Sequence, residues 1–197
     1  MNILIFGDSI TWEAHDPKQG GWATHLRNYL EEKSNNKISV YNLGINGDTT
    51  TNLLERIEIE TKSREPDLII FAIGINDATF IHSLNNTYTP LNQFQKNLER
   101  LFDIAKNFTN NIIFIGLTKV DELKINPSSW EFNQTLLNKD IEQFDNTIKE
   151  FCENNKIKFI SMKGIIENKD LYDGLHPNTQ GHIKMFNQIL PEIKLML

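Results

Sequence analysis

The chain of 197 residues has a single cysteine, Cys152, so it cannot close an internal disulfide. Its fold therefore does not depend on an oxidising compartment. Cys152 falls in a helical pattern with Ile148 and Phe151, where a buried structural thiol is expected rather than a nucleophile. No apolar run approaches the ~20 residues that a helix needs to span a bilayer. No basic segment or cleavage site precedes the first strand, which begins at once with Met1-Asn2-Ile3. These absences predict a cytoplasmic protein without stable membrane insertion. Positive charge is also short: 20 Lys and Arg stand against 26 Asp and Glu, a net charge of -6. That argues against nucleic acid as a partner, since binding its backbone requires a basic face. Neither Gly-x-Gly-x-x-Gly nor Gly-Lys-Ser/Thr occurs, so no nucleotide site is expected. With no repeat, low-complexity tract or linker, residues 1–197 read as one domain.

What the chain does have is an alternation of apolar runs and helix-period segments. The runs are Ile3–Phe6, Ile38–Leu43, Leu68–Ile73, Ile112–Leu117 and Ile157–Ser161. Two of them, Leu68–Ile73 and Ile112–Leu117, are apolar on both faces, as central strands of a parallel sheet must be. Between the runs, helices are predicted over about 22–33, 51–64, 91–107, 136–154 and 179–195. The alternation implies an α/β fold, a three-layer α/β/α sandwich around a five-stranded parallel sheet in flavodoxin-like order. Ligands of such sheets bind outside the carboxyl ends of the strands.

The distinctive motifs fall at those ends. Gly7-Asp8-Ser9 follows the first strand, Gly44-Ile45-Asn46-Gly47-Asp48 the second and Gly74-Ile75-Asn76-Asp77 the third. Asp173-Gly174-Leu175-His176-Pro177 precedes the last helix. The order Ser, Asp, His is that of one class of serine hydrolase. A serine hydroxyl needs a general base at neutral pH, so Ser9 is the candidate nucleophile and His176 its base. Asp173 is the candidate orienting carboxylate, and one turn can present both Asp173 and His176. Pro177 ends that turn and is positioned to start the helix. Acyl transfer builds an oxyanion that demands donors. The Ser9 N–H, the Gly47 N–H and the Asn76 side-chain amide are the candidates. Asp8 and Asp77 are read as supports, bracing the nucleophile turn and the loop after the third strand.

Jointly these blocks resemble the SGNH hydrolase superfamily, also called the GDSL esterase/lipase family. Gly7-Asp8-Ser9 matches its first block, with Ile10 in place of the usual Leu. Gly47 matches the second block, Gly74, Asn76 and Asp77 the third, and Asp173 and His176 the last. The resemblance implies an esterase acting on small or soluble ester substrates through an acyl-enzyme, with no cofactor or metal. It implies Ser9, Asp173 and His176 as the triad, and Ser9, Gly47 and Asn76 as the oxyanion hole. A carbohydrate O-acetyl esterase, a lysophospholipase or a thioesterase fits the same site. The Gly-x-Ser-x-Gly elbow of α/β-hydrolases is absent, because Thr11 stands where its second glycine would be.

A reading of another class is a non-catalytic flavodoxin-like binding module, and flavin binding is suggested by fold analogy alone. The other histidines, His15, His25, His82 and His182, show no metal-site spacing. His15 follows the nucleophile turn and is a candidate for the pocket entrance. Two irregular segments are candidates to shape the pocket: Ala78 to Pro90, with Phe80, Ile81 and Tyr88, and Lys119 to Thr135, with Pro127, Trp130 and Phe132. The sequence carries no signal of oligomeric state.

Overall fold

The computed structural model describes residues 1–16, 18–125 and 133–197. In chain order the elements are β1 (Asn2–Gly7), α1 (Trp22–Lys33), β2 (Ser39–Gly44), α2 (Thr50–Lys62), β3 (Leu68–Ala72), β4 (Phe80–Ile81), β5 (Asn86–Thr87), α3 (Leu91–Lys106), β6 (Ile112–Ile115), β7 (Gln134–Thr135), α4 (Asn138–Asn155), β8 (Lys158–Ile160) and α5 (Thr179–Lys194).

The five runs of the sequence form one parallel sheet in the order β2-β1-β3-β6-β8. Counted within that sheet alone the order is 2-1-3-4-5, the flavodoxin-like one. β1 and β3 are central and almost wholly buried, which is why they contain no alternation to read. Helices α1 and α5 pack on each other, and α3 packs on both α2 and α4. Each presents an apolar face to the sheet: Trp22, Leu26 and Leu30 of α1 are buried, as are Phe94, Leu98 and Leu101 of α3.

Register draws the aromatics into a row. Phe6 lies opposite Phe71, Phe71 opposite Phe114, and Phe114 opposite Phe159. The rings of Phe6 and Phe71 stack at 6.0 Å and those of Phe71 and Phe114 at 4.8 Å. Phe151 of α4 meets the Phe114 ring edge-on at 5.8 Å, a favoured aromatic arrangement. Cys152, one residue on, is buried, and burial pushes its thiol up to about 12. It is the inert core thiol that the sequence predicts.

Three local expectations are corrected. The two irregular segments meet in a small antiparallel sheet, order β5-β4-β7. Its two-residue strands are too short to show a period. Pro177 does not start the last helix. It pairs with Leu171, and Asn178 caps α5 instead, its side chain accepting from the Gln180 and Gly181 N–H groups. The fourth helix begins at Asn138, because Leu137 is held in an extended conformation. Pro127, Trp130 and Phe132 lie outside the described residues. Among the described residues no helix is long and apolar enough to cross a membrane.

The phenylalanine row generates a stability prediction. Phe71→Ala removes the ring at its centre and leaves a cavity between Phe6 and Phe114. Urea unfolding should show a loss of about 3–5 kcal/mol. A loss under about 1 kcal/mol would mean that the row contributes little.

Candidate active site

Ser9 sits just past the end of β1, in a turn that folds back over the sheet rim. The Trp12 N–H donates to the Asp8 carbonyl at 2.8 Å, and the Ala14 N–H to the Ser9 carbonyl at 3.0 Å. Asp8 closes the turn with its side chain, Oδ1 accepting from the Ile10 N–H at 2.9 Å. The neighbouring strand must leave room: a Cβ on Gly44 would collide with the Trp12 backbone nitrogen. Asn42 of β2 then ties the turn down, donating to the Thr11 carbonyl at 2.8 Å.

The loop before α5 supplies the other half. Asp173 Oδ1 accepts from the Leu175 and His176 N–H groups at 2.9 and 2.8 Å. Its Oδ2 stands 2.7 Å from His176 Nδ1, and His176 Nε2 stands 2.9 Å from Ser9 Oγ. This line of contacts is satisfied when Nδ1 carries the ring proton and Nε2 accepts from the serine hydroxyl. The three residues that the sequence singles out are therefore in direct hydrogen-bond contact.

The donor side is built by the loops after β2 and β3. Gly47 takes φ 78°, and nothing lies within 4 Å of the place where its Cβ would stand. Its backbone is thus laid open to the cleft. Asn76 Nδ2 donates one hydrogen to the Asp48 carbonyl at 2.9 Å, which fixes the amide and leaves its other hydrogen available. Ser9, Gly47, Asn76 and His176 line one open cleft of ≈ 590 Å³, together with Trp12, Glu13, Ala14, His15, Asn46 and Leu175.

Several supports were not legible in the sequence. Asp77 does more than brace its own loop: it accepts from the Thr50 N–H and, at 2.6 Å, from the Thr50 hydroxyl, pinning the start of α2. Asn97 of α3 in turn donates to the Thr50 and Thr51 hydroxyls at 2.9 and 3.0 Å. Arg56 holds Asp48 through Nε at 2.8 Å and Nη2 at 2.7 Å, and donates to the Leu43 carbonyl at 2.9 Å. Arg56 lies on a surface-like helix position, and only the fold shows that it faces inward. His15 does reach the pocket, with Nε2 3.3 Å from Asp173 Oδ2 and its ring stacked on Tyr172 at 4.8 Å. His25 and His182 belong to the helix layer, where His182 is fully buried and burial lowers its pKa to about 4. His82 is exposed and bonds the Thr135 hydroxyl.

Two carboxyls of the site are driven in opposite directions. Burial pushes Asp8 up to about 7, against the Ile10 N–H bond and the nearby His176 charge, which favour the anion. Burial also raises Asp173, but the His176 ring and the His176 and Leu175 N–H groups outweigh it. Its carboxyl is held well below the usual range. Asp173 is the anion across neutral pH, as a group facing an imidazolium should be.

Comparison with known proteins identifies a family and a shared fold. A sequence model described as the GDSL-like lipase/acylhydrolase family matches residues 5–183. A multidomain esterase of Ruminococcus flavefaciens is 27% identical over an alignment of 234 positions that covers 98% of this chain and 28% of that protein. An arylesterase of Vibrio mimicus is 26% identical over 115 residues, 58% of this chain and 54% of that protein. The chain thus spans 28% and 54% of the length of these curated relatives. Among solved structures, the acetylxylan esterase Axe2 of Geobacillus stearothermophilus superposes with a TM-score of 0.77 at 21% identity, covering 98% of this chain and 93% of that one. A hydrolase from the metagenome of Lake Arreo, Spain, gives 0.75 at 19% identity, covering 96% and 93%. At such identities the likeness is one of fold.

The carboxyls give a pH prediction. Because the folded-state pKa of Asp8 is raised, the unfolded chain ionises first, and stability falls as pH rises from about 4 to about 7. At about 1.4 kcal/mol per unit the Asp8 contribution reaches about 4 kcal/mol as an upper bound. Asp173 acts oppositely: its stabilisation is full above the unfolded carboxylate pKa and is lost on acidification. Asp8→Asn keeps the acceptor for Ile10 and removes the ionisation. Its unfolding free energy relative to wild type should therefore rise between pH 4 and pH 8. A constant difference across that range would refute the raised Asp8 pKa.

Proposed function

The chain belongs to the GDSL-like lipase/acylhydrolase family, and on that premise we propose that it is a serine esterase hydrolysing carboxylic esters of small or soluble substrates. The observation that carries the reading is the unbroken contact from Asp173 Oδ2 through His176 to Ser9 Oγ, at 2.7 and 2.9 Å. Ser9 Oγ attacks the ester carbonyl while its proton passes to His176 Nε2. Asp173 holds the ring and stabilises the imidazolium. The Ser9 and Gly47 N–H groups and the free hydrogen of Asn76 Nδ2 receive the oxyanion. The alcohol leaves with the proton from His176, forming an acyl-Ser9 ester. Water, deprotonated by His176, then releases the acid and restores the serine. Residues 1–197 act in this reading as one catalytic domain, and no step calls on a metal or cofactor.

Asn46 gives the cleft wall a polar group that a substrate can meet. A carbohydrate O-acetyl ester is the second reading. It is favoured by the fold shared with structures described as acetylxylan esterases. Lysophospholipase and thioesterase activities, acyl transfer to another alcohol, and the non-catalytic module are the other outcomes. An acyl-chain series of chromogenic esters, run beside acetylated sugars and an acyl thioester, separates them.

Ser9→Ala should lower turnover of a short acyl ester by at least about a thousandfold with the fold intact. It should also abolish labelling by a fluorophosphonate probe. Asn76→Ala should lower kcat by roughly a hundred- to a thousandfold while KM changes little. Full activity in Ser9→Ala, or no probe labelling of wild type, would overturn the esterase in favour of the binding module.

A further inference from the structure

His15 brings a second imidazole to the catalytic carboxylate. Its Nε2 stands 3.3 Å from Asp173 Oδ2, the oxygen that also faces His176 Nδ1 at 2.7 Å. One ring nitrogen of each histidine and one Asp173 oxygen all lie within 4.8 Å of one another. The His15 ring is held for this: it stacks on Tyr172 at 4.8 Å and meets the His176 ring edge-on at 5.0 Å. Its backbone is left-handed at φ 66°, as is that of Glu13 at 73°. Glu13 anchors the segment to α1, accepting from the Thr24 N–H at 2.6 Å and the Thr24 hydroxyl at 2.8 Å. The side chains of His15 and Asp173 are 44% and 36% exposed, so an ion from solvent can reach them.

We propose that His15, Asp173 and His176 bind a divalent transition ion of the zinc class, and that its occupation shuts the serine site down. Two imidazoles and a carboxylate suit zinc or copper, and hard cations such as magnesium prefer all-oxygen sets. Ligand atoms on tetrahedral zinc, at bond lengths of 2.0–2.1 Å, lie about 3.3–3.4 Å apart. The His15–Asp173 pair already has that spacing, and the His176–Asp173 pair needs to open slightly. The two imidazole nitrogens, within 4.8 Å of each other, close onto the ion through side-chain rotation of the half-exposed His15. A fourth position is left for water.

The shutdown follows from the proton. Active His176 carries its proton on Nδ1 and a lone pair on Nε2. A metal on Nδ1 takes the lone pair there, and solvent carries the proton to Nε2. Nε2 then donates, and nothing accepts the Ser9 proton. No electron is transferred and no bond to substrate is involved. This inhibition rests on the esterase reading, whereas the metal site itself does not.

The test is therefore divided. Zinc chloride titrated calorimetrically into Ser9→Ala, which keeps all three ligands, should give one ion per chain. His15→Asn, a residue that tolerates left-handed backbone, should weaken binding at least about tenfold, since loss even of a supporting group costs that much. His15→Gln and the thermal midpoints of both variants guard against misfolding. Magnesium chloride should not compete. In wild type, zinc should abolish ester turnover, a chelator should restore it, and the inhibition constant should shift in His15→Asn in parallel with the affinity. Equal zinc affinity with and without His15, binding only near millimolar zinc, or equal binding of magnesium would overturn the site. Zinc binding through His15 without inhibition of an active enzyme would overturn the switch. A chain that hydrolyses no ester yet binds zinc through His15 would sink the esterase reading and leave the metal site standing.

Discussion

The parallel register at the end of β1 governs the rest of the molecule. Gly7 pairs with Gly44 on one side and with Ala72 on the other. Three strands therefore stop at one level, and the loops carrying Ser9, Gly47 and Asn76 leave the same rim. A slip of one residue would turn the buried faces of β1 outward and separate these loops. The row of phenylalanines across β1, β3, β6 and β8 makes such a slip costly. Core packing and the alignment of the candidate site are thus one constraint, set by buried apolar residues of the strands.

The rim alone would not hold donors in place, because its loops carry buried polar groups that need partners. Asp77 draws Thr50 and the start of α2 toward the loop after β3, and Asn97 fixes Thr50 from α3. Arg56 reaches back from α2 to Asp48 and to the Leu43 carbonyl of β2. A half-satisfied network of this kind would be worse than an apolar contact, and a completed one selects a single geometry. Asp48 offers its carboxylate to Arg56 and its carbonyl to Asn76, so helix α2 and the Asn76 amide are coupled through one residue.

The sheet was legible because buried parallel strands advertise themselves as apolar runs, and Leu68–Ile73 and Ile112–Leu117 could be little else. Ser9, Gly47, Asn76, Asp173 and His176 were legible because strand-end loops are where such a sheet binds ligands. Their residue types fit the roles of acyl transfer, and family resemblance sharpened the choice. Arg56, Asn97 and Thr50 were hidden, because a helix-surface polar residue looks the same whether it meets solvent or a neighbouring loop. The β4, β5 and β7 strands were hidden by length. His15 shows the limit most clearly. Sequence spacing detects metal ligands that lie on one helix or in one loop, and this histidine meets its partners from the opposite end of the chain.

On the proposed esterase reading, substrate choice falls to the segment between β1 and α1. Residues 12–15 supply four of the cleft-lining side chains, whereas Ser9, His176, Gly47 and Asn76 are taken up in that reading by the reaction itself. That segment adopts left-handed backbone at Glu13 and His15, a cost that only its anchors can sustain. The anchors run to different elements: Glu13 to Thr24 on α1, and Thr11 to Asn42 on β2. Trp12 projects about half exposed beside the nucleophile, with its backbone packed against Gly44. The wall can therefore change its side chains without disturbing the strands beneath, provided those two anchors remain. The structure thus separates a rigid rim, which holds Ser9, Gly47 and Asn76, from a tethered wall whose side chains face the cleft.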